Sequence, residues 1–250
     1  MRSKKAITNN STKQEVEMTF LEHLEEFRWR TIYSIIGVIV GTIIAWIFKD
    51  ILVDKILLKP AVDSNITLQN LKPFGQLMLY FEIAIICGFI ISIPNVFYQL
   101  WKFIAPALKA NERKYISFIV FFSTICFLSG IVFAYFVMLP MTLKFAEQFG
   151  TKQIENNFAI SEYFSIIISI MLGAGLIFEL PMLSFALSKI GILTPKFMRR
   201  YRKHSIVIIM FLAAILSPGT DPVSQILLAI PLVLLYEISI FVSKFASKKS

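Results

Sequence analysis

Long apolar stretches alternate with short polar connectors along the chain. Six of them stand out: Thr31–Phe48, Leu77–Leu100, Ile116–Leu143, Tyr163–Leu187, Ser205–Ser217 and Val223–Val242. A bilayer core of about 30 Å needs about 20 helical residues to cross it. The first four stretches and the last are long enough. The fifth has 13 residues and as a helix extends only about 20 Å. Between it and the sixth lies Ser217-Pro-Gly-Thr-Asp-Pro222, where two prolines and a glycine dictate a tight turn. The pattern predicts an all-α integral membrane protein with six transmembrane helices, the fifth and sixth short and paired as a hairpin. Single carboxylates, Glu82, Glu179 and Glu237, fall inside the second, fourth and sixth stretches.

Charge orients the spans. With six crossings, the N-terminal tail, the second and fourth loops and the C-terminal tail share one side. That side holds nineteen of the 25 Lys and Arg residues. The excess marks it as cytoplasmic, so both termini are expected inside. If the fifth stretch did not cross, the split would fall to sixteen against nine, a poorer match. The same distribution explains the net charge of +9 without nucleic acid.

Composition agrees with a membrane solvent: 56% of residues are hydrophobic and only 16% charged, and the mean hydropathy is +0.71. So large an apolar excess does not fit one water-soluble core. Cys87 and Cys126 lie inside apolar stretches and read as buried free thiols. No cleaved signal peptide, internal repeat or low-complexity segment is visible. The expected organisation is a flexible cytoplasmic tail over 1–18, one six-helix membrane domain over 19–242 and a cytoplasmic tail over 243–250.

Two segments carry distinctive chemistry. In Thr19-Phe-Leu-Glu-His-Leu-Glu-Glu-Phe-Arg-Trp-Arg30, Thr19 and Glu22 fit a capping box, so a helix is expected to start there. Phe20, Leu24 and Phe27 form one apolar stripe, which predicts an amphipathic helix at the membrane surface that then turns into the first span. Its acids have two readings: pairing along the helix with Arg28 and Arg30, or a carboxylate kept for an incoming cation.

The second segment runs from Pro94 to Lys114. Pro94 should kink its helix and Pro106 should break it. Tyr98 and Trp101 are placed for the interfacial aromatic belt. Glu112 suits the start of the next helix, where acid complements the dipole.

His23-Leu-Glu-Glu-Phe-Arg28 resembles the N-terminal His-Leu-x-Glu-Leu-Arg motif of the TatC family, with Phe27 in place of the usual Leu. Tyr98-Gln-Leu-Trp-Lys-Phe-Ile-Ala-Pro-Ala-Leu108 followed by Glu112-Arg113 is similar to that family's second-loop motif. Phe133-Ala-Tyr-Phe136, Phe178-Glu-Leu-Pro181, Leu228-Ala-Ile-Pro231 and Tyr236-Glu237 also match. Ser217-Pro-Gly-Thr-Asp-Pro-Val-Ser-Gln225 matches too, although the family's turn often reads Thr-Pro-Pro-Asp. The likeness runs from about Met18 to Val242 in continuous order.

The resemblance implies a receptor that binds the twin-arginine signal peptides of folded proteins for export driven by the proton-motive force. Glu26 and Glu112, with Arg113 and Phe103 beside them, would hold the signal peptide. Carboxylates accept the planar guanidinium in a two-point fork that lysine cannot reproduce. The peptide's apolar part would enter a groove between helices near Phe103. Glu179 and Gln225 would meet single-span partners of the TatA/TatB type within the membrane, and Pro94, Pro106 and Asp221 would be structural.

Self-association in a receptor complex is implied, with no cofactor, no metal and no catalytic role. The implied location is the cytoplasmic membrane of a bacterium, with the thylakoid membrane as alternative. The rival reading is a secondary transporter, for which the chain shows single buried carboxylates and no repeat. No enzyme motif is present, and the two histidines, His23 and His204, both fall on the cytoplasmic side.

Overall fold

The computed structural model describes residues 20–64, 66–107, 113, 116–148, 157–216 and 222–247. The N-terminal tail, Thr19 with its capping box, Glu112 and the turn at Asp221 lie outside them.

Helix α1, Phe20–Ile47, is 28 residues long. It is one continuous helix, so the expected surface helix turning into a span is corrected. The stretch from Phe20 to Arg30 contains no proline or glycine, so nothing in it stops the helix of the first span from extending back to Phe20. A π-helical segment, Ile51–Leu57, and the short α2, Lys59–Asp63, lead to strand β1, Thr67–Gln69. Helix α3, Gly75–Ile104, has 30 residues and runs through Pro94 without ending. A 3₁₀ turn, Ala105–Ala107, closes it at Pro106 as expected.

Helix α4, Ile116–Phe133, passes through a π-helical segment, Ala134–Met138, into α5, Leu139–Gln148. Strand β2, Asn157–Ala159, pairs in parallel with β1, Leu68 opposite Phe158, and Thr67 hydrogen-bonds Asn157. This small ladder caps the end of the bundle opposite Glu26. Two phenols fasten the cap by donating to carbonyls of the first π-helical segment: Tyr135 to Ile56 and Tyr163 to Leu57, each at 2.7 Å.

The fourth stretch is two helices: α6, Ile160–Ile177, and α7, Leu180–Lys189. Pro181 has no N–H and its ring crowds the carbonyl four residues back, that of Ile177, which is where α6 stops. The hydropathy pattern alone merges them into one span.

After the short α8, Pro195–Arg200, come α9, Arg202–Leu216, and α10, Pro222–Ser247. At 15 residues, α9 is about 22 Å long and the fifth helix is short as expected. The sixth is not short: α10 has 26 residues. Its last turns are held against α7, where the hydroxyls of Ser188 and Ser243 lie 2.5 Å apart and Ala246 is fully buried.

Among the described residues, five helical stretches are long and apolar enough to cross a membrane, Leu21–Ile47, Gly75–Ile104, Ile116–Lys144, Ile160–Lys189 and Ala229–Ser247. The protein is thus an all-α, multi-pass membrane protein. Inside the bundle, Ile93, Phe97 and Trp101 of α3 pack with Ile119 and Phe127 of α4 and Met182 of α7. Trp101 is only 3% exposed, which corrects its expected place in the interfacial belt. It shares a face of α3 with Phe97 one turn away, and that face looks inward. Tyr98 is exposed, with the Lys102 ammonium 5.2 Å from its ring centre.

Candidate functional site: the mouth of the α1–α3 pair

Helices α1 and α3 pack along their length because small residues remove the side chains between them. Gly37 and Gly41 lie one turn apart on α1 and face Asn95, Ser92 and Gly88 of α3. The Ser92 hydroxyl donates to the carbonyl of Gly37 at 2.6 Å. Such small-residue spacing lets membrane helices approach backbone to backbone.

The close crossing aligns a polar ladder toward the N-terminal end of α1. The Asn95 amide donates to the carbonyl of Tyr33 at 3.1 Å, and Gln99 reaches Asn95 at 3.5 Å. Arg30 then joins the helices: Nη1 donates to Gln99 Oε1 at 3.2 Å and Nη2 to Glu26 Oε1 at 3.0 Å. The Glu26 and Arg30 side chains are 18% and 20% exposed. Glu26 Oε2 is buried and has no hydrogen-bond partner among the described residues. The helical pairing of Glu26 with Arg30 is therefore present, and it leaves one carboxylate oxygen unused.

Phe103, one turn beyond Gln99, closes the ladder. Its ring stacks on His23 at 4.4 Å and tilts against Phe27 at 5.3 Å. Arg113 donates to the carbonyl of Pro106 at 3.4 Å. That contact ties the end of the second loop to the end of α3, three residues past Phe103. Glu112 precedes Arg113 in the chain and lies outside the described residues. Glu26, Phe103, Pro106 and Arg113 thus gather at one end of one helix pair. From Gln99 a groove of about 410 Å³ runs between α1 and α3, lined by Tyr33, Gly37, Gly41, Ser92 and Asn95 together with isoleucines.

The remaining sequence-chosen residues lie elsewhere. Glu179 sits at the break between α6 and α7, 7% exposed, against Ser123 and the backbone of Phe127 on α4. Neither Glu179 Oε1 nor the Ser123 hydroxyl makes a hydrogen bond among the described residues. Gln225 donates to the carbonyl of Met210 at 2.9 Å, which ties α10 to α9 within the chain. Glu237 pairs with Arg202 at 2.6 Å on an exposed surface, and Glu82 is exposed. Sequence reasoning missed Arg30, Gln99 and Asn95 as parts of the site. The visible signal was Gly37-Val-Ile-Val-Gly41 opposite Gly88 and Ser92, which predicts a close helix pair and hence the ladder beside it.

Among the described residues no three His, Cys, Asp or Glu side chains group so as to hold a metal ion. The arrangement is a carboxylate–guanidinium pair and aromatic rings at the mouth of a groove between two membrane-length helices. The fold thus defines an all-α, multi-pass membrane protein with a polar, aromatic-rimmed cleft between its first two membrane-length helices.

The family model described as Sec-independent protein translocase protein (TatC) matches residues 22–231. The protein of that name from Carboxydothermus hydrogenoformans is 37% identical, over 94% of this chain and 97% of its own. The one from Aquifex aeolicus is 38% identical, over 93% and 97%. A crystal structure of a twin-arginine translocase receptor, TatC, superposes with a TM-score of 0.78 at 38% identity, covering 90% of this chain and all of that one. The chain belongs to the TatC family. It is a non-catalytic component of twin-arginine protein translocation and a multi-pass protein of the bacterial inner membrane. The secondary-transporter reading falls with that membership.

Proposed function

We propose that the chain is the subunit that receives twin-arginine signal peptides on the cytoplasmic face, before folded cargo is moved by the proton-motive force. The observation that supports the reading is the link from Glu26 through Arg30 to Gln99, one turn from Phe103, at the mouth of the α1–α3 groove. Glu26 and Glu112 take the two guanidinium groups, with Phe103 and Arg113 bordering them. The apolar part of the peptide lies along the groove, whose walls supply isoleucines. A titration of the purified protein with a twin-arginine peptide and its twin-lysine variant tests this. Selective binding of the first is expected, and equal binding of both would sink the assignment.

The topology proposed with it has six crossings and both termini in the cytoplasm, with 1–18 and the residues that follow α10 as tails to one membrane domain. In that arrangement α9 is the fifth crossing despite its length, through a locally thinned bilayer. A reporter active only outside the cytoplasm should be active when fused near Asp221 and silent at Ser250. Activity at Ser250 would mean that α9 does not cross.

Glu179 is proposed as the intramembrane contact for single-span TatA/TatB-type partners. Supporting this is a buried carboxylate with an unused oxygen at a helix break, where a partner's polar group supplies the missing bond. Glu179→Ala should impair translocation per molecule more than it lowers abundance, and should abolish crosslinks from α6 to such a partner. A fall in abundance with unchanged activity per molecule would leave Glu179 a purely structural residue.

A further inference from the structure

Glu26 is not open to a ligand in this structure. Its Oε1 accepts from Arg30 of the same helix at 3.0 Å, and its Oε2 is shut off from solvent. Arg30 is itself held from the other helix, since its second arm donates to Gln99 at 3.2 Å. Gln99 is positioned in turn by Asn95, and Asn95 by the carbonyl of Tyr33. A guanidinium arriving on a peptide therefore meets a carboxylate already occupied by a guanidinium of the chain.

We propose that Arg30 is an internal competitor for the signal-peptide arginine: the peptide binds only the fraction of molecules in which Arg30 has released Glu26. The inference rests on the reading that Glu26 receives that arginine. The exchange is like for like. The carboxylate keeps an arginine partner throughout, while the Arg30 head swings out on its flexible stem and the Gln99 amide is freed. The observed dissociation constant is then the intrinsic one divided by the competent fraction.

Two consequences follow, and the second separates this device from simple charge repulsion. Weakening the internal pair tightens every ligand of Glu26 by the same factor, so twin-arginine and twin-lysine peptides shift together and their ratio is unchanged. Loosening the Gln99 anchor acts in the same direction although no charge is removed.

The test is a fluorescence titration of the detergent-solubilised full chain with labelled twin-arginine and twin-lysine peptides. Arg30→Gln should tighten both by about two- to tenfold, the range of a partly screened ion pair with one further hydrogen bond. Gln99→Ala should tighten both by a smaller factor. In a Glu26→Gln background Arg30→Gln should change nothing. Unchanged or weaker binding by Arg30→Gln overturns the proposal, as does tightening that persists without the Glu26 charge. If Arg30→Gln does not fold, the sign of the Gln99→Ala effect decides: tighter supports it, unchanged or weaker overturns it. Glu26→Gln alone keeps the two claims apart. If it has no effect on peptide binding, the receptor-site reading itself has failed; if it weakens binding while Arg30→Gln does not tighten it, only the competitor role is lost.

Discussion

Replacing Glu26 by alanine is expected to weaken binding of a twin-arginine peptide by about ten- to hundredfold, and replacing Glu112 by alanine to do the same. A hydrogen bond to a charged group is worth about 1.5–3 kcal/mol, and every 1.4 kcal/mol is about tenfold in affinity. The double variant should lose less than the sum, because in the proposed site both acids serve one pair of neighbouring arginines. Alanine at position 26 also strips Arg30 of its carboxylate. Glu26→Gln is therefore the cleaner companion, since it keeps an acceptor for Arg30 and removes only the charge. Glu25, exposed on the same helix, is the control whose loss should matter little. The measurement is the dissociation constant for twin-arginine and twin-lysine peptides. If Glu26→Ala and Glu112→Ala bind both as the unmodified chain does, recognition happens elsewhere on the molecule.

Leucine at position 88 is expected to be the most damaging single change in the first helix pair. A Cβ on Gly88 would run into the backbone of Thr42, and one on Gly41 would meet Ser92 Oγ at 2.7 Å. Backbone cannot yield as a flexible side chain does, so the helices must separate. Overpacking costs about 1–3 kcal/mol and occasionally more. Gly88→Ala should fall in that range, and Gly88→Leu above it. Separation would also pull the Glu26 end of α1 away from Phe103 on α3 and spread the walls of the groove, so peptide binding should drop even though the Gln99 anchor of Arg30 is loosened. Gly191→Ala is the contrast: its φ is 85° and a methyl group there would meet nothing within 4 Å, so only a local backbone strain of about 1–2 kcal/mol is expected. Thermal unfolding in detergent should rank Gly88→Leu as the least stable of the three. A melting curve for Gly88→Leu that overlays the unsubstituted chain would show that the helices do not need this contact.

The membrane class, the apolar stretches and the short α9 were legible in the sequence because they depend on local quantities: run length, residue polarity and turn residues. The family resemblance was legible for the same reason, since its motifs are short and ordered. Where local rules compete with packing, the sequence misled. Trp101 reads as interfacial by type, yet it faces inward because Phe97 and Ile93 set the face of α3 that meets α4 and α7. The apolar stretch ends at Val242, yet α10 continues to Ser247, where Ser243 meets Ser188 of α7 and Ala246 is fully buried. Glu26 shows the division most clearly. Its helical spacing to Arg30 is a sequence fact. Gln99 lies 69 residues from Arg30, and only the glycine-lined crossing of α1 and α3 brings it within hydrogen-bond reach. That crossing turns an ordinary i,i+4 pair into an anchored one, because a contact between distant segments is set by how their backbones approach and not by any local propensity.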